Sequence, residues 1–113
     1  MDTPLTRHSD HFATCGQITP DDIAEFAAQG FRTLINNRPD GEGGPGQPPS
    51  EVLAAKAQDA GVAYVYLPVV SGHITAEQAE TMREIMEKAE KPVLAFCRSG
   101  ARSTHLWHLA GTP

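Results

Sequence analysis

A chain of 113 residues is long enough for one domain with a modest core and too short for two, so a single site is expected. Nine lysines and arginines against fourteen aspartates and glutamates leave a formal charge of −5, which argues against nucleic acid as a partner. No apolar run approaches the roughly eighteen residues of a membrane span, and the polar start from Met1 to His8 lacks the apolar stretch of a signal peptide, so the chain reads as a soluble cytoplasmic protein.

In chain order, Ala13 to Ile18 reads as a short edge strand. Thr19-Pro20-Asp21-Asp22 supplies an N-cap, a proline at the first helical position and two acids for the dipole, which predicts a helix to Gln29 stopped by Gly30. Phe31 to Asn36 follows as a strand. Pro39 to Pro49, almost all glycine, proline and polar residues, is expected to be a long loop with neither helix nor strand. Ser50 opens a second helix, with Val52, Leu53, Ala55 and Ala60 leading to Gly61, and Val62 to Leu67 is the next strand. Tyr64 and Tyr66 alternate with Val65 and are expected to share one sheet face, packed under a helix. Thr75-Ala76-Glu77-Gln78 fits the capping-box pattern, and Ala79, Met82, Ile85, Met86 and Ala89 make the apolar stripe of the longest helix, which Pro92 ends. Val93 to Phe96 is the last strand. Ala101 to Ala110 is the last helix, with Leu106 and Trp107 in the core and Gly111-Thr112-Pro113 closing it. The repeated grammar of capped helix, stop and apolar strand is that of an α/β fold: one domain over 1–113, with a mainly parallel sheet of four or five strands flanked by helices. The sequence leaves open the oligomeric state, and whether the chain is complete or a piece of a fusion lacking some C-terminal packing.

Ligands of open parallel sheets collect beyond the carboxyl ends of the strands, so the segments after each strand should meet there. These are Asn36 to Asp40, Pro68 to His73, and Cys97-Arg98-Ser99-Gly100-Ala101-Arg102-Ser103, with the end of the Ala13 segment near them. The last segment joins a strand to a helix N-terminus, where backbone N–H groups converge and the helix dipole favours negative charge. A thiol there ionises readily, which makes Cys97 the candidate nucleophile. Arg102 offers a two-pronged donor to an oxyanion or to charge on a sulfur intermediate, and Arg98 adds positive charge. Gly100 lets the backbone turn with its amide inward, Ala101 begins the helix, and the hydroxyls of Ser99 and Ser103 are candidate donors to the thiolate. Arg38 is expected either to extend the positive cleft or to pair with Asp40 or Glu42. Cys15 is a candidate resolving thiol, though spacing alone cannot bring two sulfurs within bonding distance. The His8/His11 and His105/His108 spacings lack the thiol or carboxylate partners of a metal site, so neither metal nor organic cofactor is expected.

Two resemblances follow from these residues. Cys97-Arg98-Ser99-Gly100-Ala101-Arg102-Ser103, with four residues between cysteine and arginine, resembles the active-site loop of rhodanese sulfurtransferases. Cysteine-dependent phosphatases have five, and Ser103 stands where their arginine would be. The stretch from Ala13 to Trp107 resembles the phosphatase-like domain found with β-lactamase-like hydrolases and sulfide-oxidation enzymes. The matching pieces are Gly16-Gln17, Gly30-Phe31, Thr33, Ile35 to Glu42, Tyr66-Leu67-Pro68-Val69, Cys97 to Ser103 and Leu106-Trp107. That resemblance implies a fold like the dual-specificity phosphatases, with members described both as phosphatase-like and as sulfurtransferases.

Phosphatases also need an acid to protonate the leaving alkoxide, and the Pro68 to Thr75 loop has no carboxylate. Asp40, Glu42 and His73 are the candidates by position. Sulfur transfer needs no such acid, because the leaving group is a good one. The sequence therefore favours a sulfurtransferase carrying a persulfide on Cys97, taking sulfur from thiosulfate or a glutathione persulfide and passing it to a thiol. A persulfide-oxidising enzyme or fused domain is the partner that the resemblance implies. The alternatives are a phosphatase with a phosphocysteine intermediate and a non-catalytic redox-sensing module in which Cys97 pairs with Cys15.

Overall fold

The structure is a computed structural model and describes residues 4–113; Met1, Asp2 and Thr3 of the polar start lie outside the described residues. Ten elements follow one another: β1 (Leu5–Arg7), β2 (Phe12–Cys15), α1 (Asp22–Ala28), β3 (Thr33–Asn36), a 3-10 turn (Gly44–Gly46), α2 (Ser50–Ala60), β4 (Ala63–Tyr66), α3 (Ala76–Lys88), β5 (Val93–Phe96) and α4 (Ala101–Leu109). They form a single α/β domain around a five-stranded sheet of order β1-β2-β5-β3-β4. Every pairing is parallel except that of β1 with β2.

Alternation along the strands divides the core in two. Ala13 and Cys15 of β2, Leu34 of β3, and Leu94 and Phe96 of β5 face α1 and α2, packing with Ile23, Phe26, Leu53 and Ala57. Phe12, Ile35, Val93 and Ala95 face α3 and α4, where Met82, Met86, Leu106 and Trp107 close over them. Both β3 and β5 are buried along their whole length; β5 is an unbroken apolar run, whereas β3 buries Thr33 and Asn36 at its ends beside Leu34 and Ile35. Phe12 and Trp107 stack with ring centroids 4.8 Å apart, tying β2 to the last helix.

Four expectations are corrected. The strand at β2 is interior, because β1 pairs along its outer side; at three residues, partly exposed and polar, β1 leaves no periodic signal. Thr19 does not cap α1: its carbonyl and amide close a turn on Asp22, and the helix begins at Asp22, with no side-chain cap. The 39–49 loop contains one 3-10 turn, at Gly44–Gly46. Tyr66 is 39% exposed and is not packed under a helix as expected, whereas the half-buried Tyr64 does pack against the core beneath α2. Their hydroxyls work as pins: that of Tyr64 joins Ser50 Oγ at 2.7 Å and accepts Asn36 Nδ2–H at 3.0 Å, and that of Tyr66 accepts the Asp40 amide at 2.8 Å.

The capping box forms as expected, with Thr75 accepting the Gln78 amide at 3.1 Å and Gln78 accepting the Thr75 amide at 2.9 Å. Replacing a fully buried central-strand side chain, Leu94→Ala, is predicted to lower unfolding free energy by about 3 kcal/mol in urea titration. Thr75→Ala is predicted to cost about 1 kcal/mol by the same measurement.

Candidate active site

Strand β5 carries only apolar residues and ends by delivering Cys97, 1% exposed, to the carboxyl edge of the sheet. The chain then turns through Arg98, Ser99 and Gly100 into α4. Gly100 adopts φ 94°, a conformation that side-chain-bearing residues rarely take, and a Cβ there would stand 3.3 Å from the Cys15 carbonyl. Gly16 approaches the loop from the same side, where a Cβ would lie 3.0 Å from the Arg98 carbonyl oxygen, and the Gln17 amide donates to that oxygen at 3.2 Å. The end of β2 is thus a floor under the cysteine loop.

The loop does to Cys97 what the sequence predicted. Burial disfavours its thiolate, but the amides of Ser103, Ser99 and Gly100 outweigh that, and the thiol titrates below its ordinary value. The Gly100 N–H reaches Sγ at 3.1 Å. Ser103 acts chiefly through its amide, since its hydroxyl donates to Asn37 Oδ1 at 2.8 Å; the expected hydroxyl donor is held in the core. Cys15 shows the opposite. It pairs in register with Phe96, the neighbour of Cys97, yet burial, the nearby Cys97 and Asp22 push its thiol up to about 12. Both cysteines are free, and Cys15 is a poor source of attacking thiolate.

Arg102 leaves the first turn of α4 and lines the same cleft as Cys97, with its side chain only 9% exposed. Its Nη1 donates to the Val69 carbonyl at 3.0 Å and to Glu42 Oε2 at 2.9 Å, and its Nη2 donates to Glu42 Oε1 at 3.0 Å. Its Nε–H is buried without a hydrogen-bond partner. Arg38 donates through Nε to Glu42 Oε1 at 3.0 Å and through Nη1 to Gln17 Oε1 at 3.1 Å. Of its two expected partners, Arg38 has therefore taken Glu42. Hydrogen bonding to Arg102, and then to Arg38, holds the Glu42 carboxyl below the usual carboxylate range against the cost of burial.

The remaining candidates divide clearly. Arg98, Ser99 and Ala101 line the cleft, with Val70 and Ser71 opposite; Gly100 and Ser103 are buried behind it. Asp40 is not on the cleft: its Oδ1 accepts the Ser50 amide at 2.8 Å and so caps α2. His73 is exposed, also off the cleft, and its amide closes a turn on Val70. The sequence offered both as acids, and the structure places neither beside Cys97. Glu42, named only as a substitute acid, is the carboxylate that lines the cleft. Asn37 was missed as a positioning residue: besides Ser103, it bonds Leu67 O through Nδ2 at 2.9 Å and Phe96 O through its amide at 2.9 Å. Two consecutive asparagines at the end of an apolar strand were the available signal. Among the described residues, no group of three or more His, Cys, Asp and Glu side chains could hold a metal ion.

Compared with known proteins, residues 5–112 match the family described as β-lactamase hydrolase-like protein, phosphatase-like domain. A β-lactamase hydrolase-like protein of Xylella fastidiosa is 36% identical over 102 residues, covering 90% of this chain and 23% of that protein. The chain therefore spans about a quarter of the length of this curated relative. A solved structure from Neisseria meningitidis, provisionally named a phosphatase, superimposes with a TM-score of 0.83 at 35% identity, covering 90% of this chain and 72% of that one. TpbA of P. aeruginosa, solved with phosphotyrosine, shares the fold at a TM-score of 0.67 and 17% identity, covering 90% of this chain and 58% of that one.

In the folded protein, iodoacetamide is predicted to modify Cys97 with a pH midpoint below the ordinary thiol value of about 8.5, and to spare Cys15 until the protein is unfolded. Peptide mass mapping across pH reads both; equal labelling of the two cysteines in the native state would contradict the assignment.

Proposed function

Because the chain belongs to the phosphatase-like domain family of β-lactamase hydrolase-like proteins, we propose that Cys97 is the nucleophile of a cysteine-dependent enzyme of the phosphatase type, acting on a small anionic substrate. The observation that carries this reading is the convergence of the loop amides on Cys97, with the Gly100 N–H at 3.1 Å from Sγ. Thiolate attack on phosphorus would form a phosphocysteine and release the leaving oxygen, which takes a proton; water would then hydrolyse the S–P bond and restore the thiolate. The same amides would hold the transferring group's oxygens. Arg98 would recruit the anion, and Arg102 would stabilise its charge. The whole domain, 1–113, would be the catalytic unit, in a reducing compartment such as the cytoplasm that keeps Cys97 a thiol.

A second reading, sulfur transfer, is favoured by a specific feature: four residues separate Cys97 from Arg102, and the cleft has no free carboxylic acid, its Glu42 being held by two guanidiniums. In that reaction the thiolate attacks the outer sulfur of thiosulfate, the S–S bond breaks, and sulfite departs with the electron pair, leaving a Cys97 persulfide. An acceptor thiolate then takes the outer sulfur. The remaining length of the curated relatives leaves room for a fused domain that consumes such a persulfide.

Intact mass spectrometry after incubation with thiosulfate, beside turnover of an aryl phosphate, separates the two. Phosphate release that Cys97→Ser abolishes, without a sulfur adduct, is the outcome expected of the phosphatase. A mass gain of one sulfur, removed by cyanide and absent in Cys97→Ser, with no phosphate release, moves the conclusion to sulfur transfer.

A further inference from the structure

A phosphate ester that loses an alkoxide needs a proton on the departing oxygen, and a positioned acid that gives one raises the rate by about 10²- to 10⁴-fold. Few side chains of this cleft carry a proton to give. Guanidiniums do not release theirs, and the hydroxyls of Ser71 and Ser99 are too weakly acidic to do so unaided. That leaves Glu42, the one carboxylate among the described residues of the cleft. Its Oε2 accepts Arg102 Nη1–H at 2.9 Å, and its Oε1 accepts both Arg102 Nη2–H at 3.0 Å and Arg38 Nε–H at 3.0 Å. A proton on either oxygen would stand against a guanidinium donor, so the carboxyl is held in its ionised form. The other candidate acids lie elsewhere. Asp40 caps α2, and His73 faces solvent off the cleft. His8 and His105 line a separate groove beyond Gly100, where His8 Nε2 is bonded to Thr14 Oγ1 at 2.9 Å.

We infer that the cleft selects its substrates by their leaving group: it takes phosphoryl groups whose partner departs as a stable anion, phosphoric and carboxylic–phosphoric anhydrides and esters of acidic phenols, before esters of alcohols. Cys97 Sγ bonds to phosphorus, the P–O bond breaks, and its electron pair leaves on oxygen as a phosphate, carboxylate or phenolate that calls for no proton from the protein. Water then adds to phosphorus, the S–P bond breaks to restore the thiolate, and the proton of water passes to solvent. An alkoxide, far more basic, has no such exit. This rests on the reading of Cys97 as the phosphoryl acceptor and names the substrate class within it.

The full chain is assayed for phosphate release from phenyl phosphate, para-nitrophenyl phosphate, acetyl phosphate and glycerol phosphate, each beside Cys97→Ser to subtract spontaneous hydrolysis. The quantity read is kcat/KM, which ends at cleavage of the P–O bond and is blind to slow hydrolysis of the phosphocysteine. A steep dependence is expected. Para-nitrophenyl phosphate should be preferred over phenyl phosphate by about a thousandfold, the scale of a missing acid, with acetyl phosphate turned over and glycerol phosphate not. A preference of about tenfold or less, with turnover that Cys97→Ser abolishes, overturns the inference while the phosphatase reading stands. In that event His73→Ala tells whether the loop histidine is the acid, by bringing the steep dependence back. If none of the four probes gives Cys97-dependent release, acetyl phosphate included, the phosphatase reading falls and the inference falls with it.

Discussion

Everything at this site depends on one buried amide side chain. Asn37 follows the last residue of β3, and its groups reach three other elements: its amide bonds Phe96 O at the end of β5, its Nδ2 bonds Leu67 O beyond β4, and its Oδ1 receives the hydroxyl of Ser103 in α4. Val69 returns an amide to its carbonyl at 3.0 Å. Parallel strands end at a common edge but nothing in their ladder fixes what lies beyond it, so an asparagine bonded through both its main chain and its side-chain amide is what holds the segments together. The Ser103 amide reaches Cys97 because the Ser103 side chain is held from behind.

Cys15 and Cys97 form a controlled comparison within one molecule. The two thiols are almost equally buried, at 3% and 1% exposed, and sit on adjacent strands. Burial alone would raise both. Only Cys97 stands past the end of its strand, where several amides are no longer committed to a ladder and can point at sulfur. Position on the strand separates the two thiols more than exposure does, and the nearby Asp22 and Cys97 add to the rise at Cys15. Arg102, which the sequence offers as a donor to an oxyanion or to charge on a sulfur intermediate, is engaged with Glu42 and Val69.

The fold was largely legible because its elements announce themselves locally. Gly30, Gly61 and Pro92 stop helices, Thr75 with Gln78 starts one, and β5 is apolar throughout since both of its faces are covered. β1 was invisible, as three partly exposed residues carry no period, and the interior place of β2 was lost with it. The site was legible as a set of loops that meet, and Cys97, Arg98, Ser99, Ala101 and Arg102 do gather at one cleft. What the sequence could not give was the choice of partner. Asp40 and Glu42 are two residues apart in the same glycine-rich loop, yet one caps α2 and the other sits on two arginines. His73 looked equally available and faces solvent. Such choices are made by side-chain geometry across the sheet edge, to which neither composition nor spacing is sensitive. The comparisons bear out the family and the fold but lean towards phosphatase chemistry, whereas the loop length alone had pointed towards sulfur.

The close contact of Gly16 and Gly100 has a thermodynamic meaning. With β2 pressed against its underside, the amide cradle is already in its final shape, so a ligand that settles there immobilises little new backbone and keeps most of its interaction energy. The opposite wall is built from side chains instead, with Glu42 held between Arg102 and Arg38. The cleft therefore sets a wall of main chain against a wall of charge.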